Sequence, residues 1–296
     1  MSDSPELVPV KFGDYLELTK PRLSLLSVFT VLIAYVAARP APEALRTGLL
    51  IVGTVLAAGG VAALNQWLEV DTDARMERTA DRPIPTGKVP DGSAFVLGML
   101  MCIAALFLLF ARVNPLSALF TLATILTYLC WYTPAKRWSR WSTEIGALAG
   151  AFPPLIGWAA GEGRITALGW ILFGMLFFWQ IPHFMAVAWI YRKQYSRVSF
   201  PMLPVRDESG VWVSRWSLAC TAALVATSLL PVPLGLASKV YGGAAVLGGI
   251  FFLWRAARFL RADGRDLAAR KLFLASITYL PLLLLALVAD RLIFEP

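Results

Sequence analysis

Residues 47–67 read TGLLIVGTVLAAGGVAALNQW, a stretch without a single charged side chain. Its length matches the roughly 20 apolar residues that an α-helix needs to cross the hydrocarbon core of a bilayer. Directly after it the chain becomes strongly charged, with EVDTDARMERTADR over residues 69–82. This boundary predicts a transmembrane helix that ends at a membrane surface, and the same pattern recurs along the chain.

Eight further apolar blocks lie between charged clusters, so the sequence predicts nine membrane-spanning helices. The predicted spans are Leu23–Ala38, Thr47–Trp67, Ser93–Ala111, Leu116–Tyr132, Ile145–Ala160, Leu168–Ile190, Trp216–Leu236, Tyr241–Phe259 and Leu272–Ala289. Of the 296 residues, 58% are hydrophobic and only 16% are charged, which excludes an ordinary soluble enzyme and a disordered chain. We therefore expect an all-α, polytopic membrane protein in which residues 1–296 form one membrane domain.

The distribution of basic residues predicts the orientation. With the N-terminus inside, 21 of the 27 Lys and Arg residues fall in the segments on the inner side or, for Arg255 and Arg258, in the inner end of the eighth span. Positive charge is enriched in cytoplasmic loops of membrane proteins. The sequence thus predicts a cytoplasmic N-terminus (residues 1–20) in the cell (inner) membrane, and the net charge of +8 needs no nucleic acid as partner. The N-terminal segment carries four acidic residues and lacks the positively charged region with which a signal peptide begins.

The strongest candidate site lies at the inner end of the second span. Asn65, Glu69 and Asp73 follow at intervals of four residues, which places three oxygen-bearing side chains on one helix face, about 6 Å apart along the axis. Carboxylate and amide oxygens suit Mg²⁺, which binds one or two carboxylates and keeps water or phosphate oxygens as its other ligands. We therefore predict Asn65, Glu69 and Asp73 as catalytic metal ligands.

Three arginines follow these predicted metal ligands. Arg75, Arg78 and Arg82 lie three and four residues apart and share another face if the helix continues. Guanidinium groups bind phosphate through paired hydrogen bonds. Acids with a metal beside arginines predict a diphosphate site. The alternative is a solvated loop in which acids and arginines only pair, and the remaining acids of residues 69–82 are assigned to that role.

Two more polar clusters end even-numbered spans. Lys136 and Arg137 close the fourth span, although taken alone they form only the basic flank of a membrane helix. His183, the only histidine of the chain, lies about two turns deeper than Tyr191 on the sixth span. An ionisable side chain within a span is a functional candidate. The alternative is a neutral histidine bonded to a neighbouring helix.

The inner rim offers further anion contacts. Tyr191 and Tyr195, with Lys193 between them, share a face, either beside phosphate or as interfacial anchors. Lys20 and Arg22 begin the first span at the same rim, where they can join an anion site. These residues alone indicate a membrane-embedded enzyme that keeps the tail of a lipid-like diphosphate inside the bundle. A transporter is less favoured, because transporters place polar groups near the membrane midplane.

Several stretches, in order along residues 18–205, resemble the UbiA-type intramembrane prenyltransferases. The residues Asn65-xxx-Glu69-xxx-Asp73, followed by RTADRP at 78–83, are similar to the first acidic motif of that superfamily. Within it, the resemblance is to the members that farnesylate haem. The supporting stretches are LTKPR at 18–22, YTPAKR at 132–137, GAFPPLIGW at 150–158, QIPHF at 180–184 and PMLP at 201–204.

The resemblance implies a nine-helix bundle around a central cavity that opens laterally to the bilayer. It implies that farnesyl diphosphate ionises with the help of Mg²⁺ and alkylates a vinyl group of haem b, and that water completes haem O. Asn65, Glu69 and Asp73 would hold Mg²⁺, and His183 would contact haem. The diphosphate would be bound by Lys20, Arg22, Arg75, Arg78, Arg82, Lys136, Arg137, Tyr191, Lys193 and Tyr195.

The resemblance also implies partners and leaves alternatives. Besides the lipid bilayer and the two substrates, a haem A synthase or a terminal oxidase assembly is the implied partner. The runner-up function is prenylation of an aromatic or quinone-type acceptor. Gln194 stands where haem-type members often carry an acid, and residues 192–206 contain no acid, so a second Mg²⁺ is not expected in the usual way. Either the side chains of residues 191–195 contact phosphate directly, or Asp207 or Glu208 reaches in.

Overall fold

The computed structural model describes residues 11–39 and 41–294, which are helical throughout their long apolar blocks and contain no strand. The helices are α1 (Phe12–Leu18), α2 (Pro21–Ala38), α3 (Ala44–Leu68), α4 (Val70–Asp73), α5 (Asp91–Arg112), α6 (Pro115–Leu126), α7 (Thr133–Trp138), α8 (Ser142–Ala151), α9 (Pro153–Glu162), α10 (Ala167–Ile190), α11 (Arg192–Arg197), α12 (Leu203–Arg206), α13 (Val211–Leu229), α14 (Lys239–Phe259) and α15 (Arg265–Phe294). A π-helical segment, Thr127–Tyr132, joins α6 to α7. The first ten residues of the predicted cytoplasmic segment lie outside the described residues.

Each predicted span lies largely in helix, and six helical segments of the described residues are long and apolar enough to cross a membrane. These are α3, α5, the continuous α6–α7 segment, α10, α14 and α15. The prediction of an all-α membrane protein is therefore confirmed. The count of nine crossings stays a prediction, because the three other predicted spans are shorter, interrupted or more polar.

The three remaining spans depart from a simple membrane helix for local reasons. In the first, α2, the apolar stretch covers only Ser24–Ala38. The fifth is interrupted at Phe152 between α8 and α9, because the proline pair that follows lacks backbone donors. In the seventh, α13 ends at Leu229 instead of the predicted Leu236, and residues 230–236, which contain two prolines, form turns.

Glycines allow the helices to approach each other closely. A Cβ atom on Gly157 of α9 would lie 1.9 Å from the carbonyl oxygen of Val31 in α2. Between α3 and α5, a Cβ atom on Gly60 would lie 2.8 Å from the carbonyl oxygen of Gly98. Membrane helices associate through such small residues because lipid offers no hydrophobic driving force between them. The last helix, α15, packs against both α2 and α10 and so links the two ends of the chain's bundle.

The loops that follow α3, α7, α10 and α14 meet at one end of the bundle, here called the loop end. Arg197, in α11, pairs with Glu77, which follows α4. Arg192 lies 3.2 Å from Asp266 at the start of α15. These contacts tie together segments that are far apart in sequence, and α2 begins at the same end. The polar side chains predicted to form the site are therefore gathered at one rim.

Candidate active site

A cavity of about 370 Å³ opens at the loop end, between α2, α3, α8 and α10. Eight of the predicted site residues line it: Lys20, Asn65, Glu69, Asp73, Arg78, Arg82, Lys136 and Tyr195. Four of these side chains are cations and two are carboxylates. The lining therefore carries excess positive charge, which favours a multiply charged anion.

Asn65, Glu69 and Asp73, here called the acidic ladder, stay on one face although the chain passes from α3 to α4 between them. α3 ends at Leu68, and Glu69 has a non-ideal backbone conformation (φ −109°, ψ 10°) between α3 and α4. The helical hydrogen bonds nevertheless continue across it, since the Glu69 amide donates to the Asn65 carbonyl (3.1 Å) and the Asp73 amide to the Glu69 carbonyl (2.8 Å). The four-residue interval thus keeps all three side chains at the cavity, as predicted, and all three are buried.

Each carboxylate of the ladder is neutralised by one cation. Lys136 Nζ donates to both carboxylate oxygens of Glu69, at 2.9 and 3.0 Å, and Arg82 pairs with Asp73. Burial alone would raise the pKa of Glu69, but Lys136 and the Asn65 amide outweigh burial and hold that pKa below its usual range. For Asp73, burial outweighs the attraction of Arg82 and raises the pKa of the carboxyl.

Lys20 lines the cavity and has a strained backbone conformation. Its backbone lies in the left-handed region (φ 46°, ψ 60°) directly before α2, a conformation that costs free energy for a residue other than glycine. Burial, together with the nearby cations Arg82 and Lys136, lowers the pKa of its ammonium group to about 7. An anion in the cavity would restore the charged form of Lys20.

The donor set of the ladder fits a hard divalent cation. Asn65 Nδ2 donates to Glu69 Oε2 (2.9 Å) and to Thr133 Oγ1 (3.1 Å), which leaves Asn65 Oδ1 as an acceptor. Within the described part of the chain, no group of three or more His, Cys, Asp or Glu side chains could enclose a metal alone. Two carboxylates and one amide oxygen match Mg²⁺, which fills its other positions with water and phosphate oxygens.

Two tyrosines hold Arg78 beside the cavity. The guanidinium carbon of Arg78 lies 5.5 Å from the ring centre of Tyr191 and 5.9 Å from that of Tyr195. Arg78 Nη2 also donates to the Tyr195 hydroxyl at 3.3 Å. Both rings therefore face the same guanidinium group, as their four-residue spacing predicts, and stabilise it by cation–π contact.

The prediction that the helix continues through the three arginines is wrong. Residues 74–89 form turns, and the Thr79 hydroxyl donates to the Asp73 carbonyl (2.9 Å). This hydrogen bond folds the segment back, so that the two later arginines return to the cavity. Arg75 turns away and donates to the carbonyl of Asp71 at 3.1 Å.

Four other predicted diphosphate contacts also lie outside the cavity lining. Arg137 pairs with Asp71 at 2.7 Å on the exposed surface, which is the pairing that the solvated-loop alternative expects. Arg22 is exposed in the first turn of α2, and Lys193 is exposed in α11. Tyr191 reaches the site only through its contact with the guanidinium group described above.

His183 lies at the expected depth on α10 but does not line the cavity. Its Nδ1 atom is 2.7 Å from Ser276 Oγ of α15, and the serine hydroxyl donates to the Phe273 carbonyl. The imidazole also stacks on Trp179, with ring centres 4.8 Å apart. Packing between α10 and α15 thus turns the ring away from the cavity lining, and the haem contact of His183 stays a prediction. These contacts match the alternative of a histidine bonded to a neighbouring helix.

A second, largely apolar cavity of about 200 Å³ lies against the first, between α2, α3, α6 and α9. Lys20, Ser27, Tyr128 and Gly150 line both cavities, so the two adjoin at these residues. Charge and spacing in the sequence indicate no role for Tyr128, Gly150 or Gln180. The family resemblance does indicate two of them, because Gly150 begins the stretch GAFPPLIGW and Gln180 begins QIPHF. The two residues pack closely, since a Cβ atom on Gly150 would lie 2.0 Å from Gln180 Oε1.

Comparison with known proteins agrees with this architecture. Residues 26–277 match the profile of the UbiA prenyltransferase family. The chain is 71% identical over 282 residues to the protoheme IX farnesyltransferase of Opitutus terrae, an alignment that covers 95% of this chain and 96% of the relative.

Two solved structures share the fold. One, of digeranylgeranylglyceryl phosphate synthase in membranes, superposes with a TM-score of 0.81 at 17% identity, over 95% of this chain and 98% of that one. The other, a UbiA homologue from Archaeoglobus fulgidus bound to GPP and Mg²⁺, gives a TM-score of 0.66 at 14% identity, over 93% and 99%.

Proposed function

Because this chain belongs to the UbiA prenyltransferase family, we propose that it transfers a farnesyl group from farnesyl diphosphate to a vinyl group of haem b, giving haem O and diphosphate. The protoheme IX farnesyltransferase of Opitutus terrae supports the choice of substrates. The observation that carries the proposal is the junction of a cationic cavity with an apolar one, since a prenyl diphosphate has the same two halves.

The diphosphate lies among the cations of the first cavity, and the farnesyl chain occupies the apolar cavity beneath. The reacting carbon C1 of the farnesyl group then lies where the two cavities adjoin, beside Lys20 and Tyr128. The acceptor vinyl group meets C1 on the membrane side, because the phosphates occupy the rim.

The reaction breaks the bond between C1 and the diphosphate oxygen, and both bonding electrons leave with the diphosphate. Arg78, Arg82 and Lys136 neutralise the charge that develops on this leaving group. The vinyl group attacks the allylic cation, water adds to the cation formed on haem, and one proton is released. The Tyr128 ring lies at the junction, where an aromatic face stabilises positive charge.

We assign Mg²⁺ to Asn65, Glu69 and Asp73. When bound, Mg²⁺ supplies positive charge to the diphosphate oxygens. The homologue from Archaeoglobus fulgidus, solved with GPP and Mg²⁺, supports a divalent metal. In the structure Lys136 and Arg82 neutralise the two buried carboxylates. A metal would take over that role, and both cations would become available to the diphosphate.

The protein is an integral, multi-pass membrane protein, and we place its loop end in the cytoplasm of the cell. The support is the charge bias, with 21 of the 27 Lys and Arg residues in the segments predicted to be inside or in the inner end of the eighth span. By the same family resemblance, haem O passes on to a haem A synthase or a terminal oxidase assembly.

Mass spectrometry of the reaction products tests the proposal. Purified full-length protein is incubated with haem b, farnesyl diphosphate and Mg²⁺, and haem O is expected. Chelation of the metal should stop product formation, and added Mg²⁺ should restore it. Parallel reactions offer an aromatic acid in place of haem b. Farnesylation of the aromatic acid but not of haem b would contradict the assigned acceptor.

A further inference from the structure

A second basic pocket lies at the loop end, between α14 and α15, and shares no lining residue with the two cavities described above. Its volume is about 540 Å³. Four cations and one acid line it: Arg255, Arg258, Arg261, Lys271 and Asp263. The proposed reaction gives these cations no role.

The cations of this pocket lack carboxylate partners in the described part of the chain. Within residues 11–39 and 41–294, none of the four forms an ion pair with a carboxylate. Arg255 is also held in a fixed orientation, with its guanidinium carbon 4.3 Å from the ring centre of Trp254 and 5.2 Å from that of Phe251. Its Nε atom is buried and has no hydrogen-bond partner. A planar guanidinium group that aromatic rings orient in advance suits a phosphate oxygen.

The surroundings of the pocket are those of a membrane interface. Trp254 and Leu267, which line it, are exposed, and so are Leu247 and Ile250 on α14 and Leu274 on α15. These apolar side chains continue from the pocket along the sides of both helices. The first turn of the 30-residue helix α15 borders the pocket, and a helix N-terminus adds favourable potential for an anion.

We propose that this pocket binds the phosphate headgroup of an anionic phospholipid, with its acyl chains along the exposed sides of α14 and α15. Basic pockets between membrane helices bind such headgroups. A lipid fits better than free phosphate, because the apolar surface adjoins the cations. The proposal does not depend on the proposed farnesyl transfer.

Native mass spectrometry of the full-length protein in mild detergent tests this site. Phosphatidylglycerol, phosphatidylcholine and inorganic phosphate are titrated separately. We expect retained phosphatidylglycerol, far less phosphatidylcholine, and no effect of phosphate at equal concentration. The double variant Arg255→Gln/Arg258→Gln should bind phosphatidylglycerol at least about tenfold more weakly, since charge-assisted hydrogen bonds to phosphate are lost.

The matched control is Lys88→Gln/Arg215→Gln, which removes two positive charges at the same end but outside the pocket. It should retain wild-type affinity. Equal losses in both double variants would overturn the site, because they would indicate attraction by overall charge alone. Competition by inorganic phosphate at equal concentration would overturn the choice of a lipid. If the Arg255→Gln/Arg258→Gln variant does not fold, the exposed Lys271→Gln provides the same comparison, with a smaller expected loss.

Discussion

Two long helices end at the cavity, and the segments that follow them have different chemistry. After α3, Glu69 and Asp73 are buried side chains, 5% and 1% exposed. After α10, residues 191–197 carry no acid and are mostly exposed or half-exposed. In our proposal the first segment supplies the oxygen ligands for a metal. The second supplies the tyrosine rings that contact Arg78, to which we assign the anion.

This difference has an energetic basis. Buried carboxylates require compensation by cations or a metal, and the first segment receives Lys136 and Arg82 for that purpose. Gln194, which stands where haem-type family members often carry an acid, does not line the cavity. We propose that the metal site draws its protein ligands from the first segment alone.

Asp73→Asn should have the largest effect on activity. The change removes a buried carboxylate that we assign as a metal ligand, so the rate of farnesyl transfer should fall at least about 100-fold. The measurement is the rate of haem O formation with saturating substrates. Asp71→Asn is the matched control, because Asp71 is exposed and pairs with Arg137, and its rate should stay near that of wild type. Equal rates for the two variants would remove the metal assignment.

Arg82→Gln should have the next largest effect, because it removes a diphosphate contact and leaves Asp73 without its cation. The KM for farnesyl diphosphate should rise about tenfold or more. The Tm should fall without metal, and Mg²⁺ should raise the Tm of the variant more than that of wild type. A variant that Mg²⁺ stabilises no more than wild type would indicate that Asp73 does not reach the metal.

His183→Ala tests whether the deeper part of α10 contributes to the cavity. The variant loses the contact with Ser276 and the stacking on Trp179. It should lose on the order of 1–3 kcal/mol of stability, with similar, small changes in the KM for both substrates. Thermal unfolding and steady-state kinetics measure these effects. A selective loss of haem binding at unchanged stability would instead identify His183 as a haem contact.

Tyr195→Phe should have the smallest effect. The change removes the hydroxyl that accepts from Arg78 but keeps the aromatic ring, so the KM for farnesyl diphosphate should rise only about two- to fivefold. Tyr191→Phe is the control, because Tyr191 contacts Arg78 through its ring face, and its KM should be unchanged. A larger effect at Tyr191 would assign its hydroxyl a direct phosphate contact.

Much of the architecture follows from the sequence because membrane helices depend on apolar length and local charge. The predicted spans lie largely in helix. The Asn65–Asp73 interval reaches the cavity because helical hydrogen bonds cross Glu69. The course of residues 74–89 could not be predicted. It depends on the hydrogen bond from Thr79 to the Asp73 carbonyl, which periodicity does not encode.

The rotation of α10 likewise depends on tertiary packing. Depth along a helix follows from the rise per residue, so the level of His183 was predictable. The direction of its ring depends on Ser276, which lies 93 residues later in the chain. The adjoining cavities at Tyr128 and Gly150 arise from four separate helices, and no single stretch of sequence specifies them.

Anomalous scattering from Mn²⁺ tests the one-sided metal site most directly. The full-length protein would be crystallised with Mn²⁺ and a thio analogue of farnesyl diphosphate that ionises slowly. The account predicts an anomalous peak within coordination distance of Glu69 and Asp73, with diphosphate oxygens on its other side. A peak held by residues 191–208 instead, or a diphosphate bound away from Glu69 and Asp73, would contradict it.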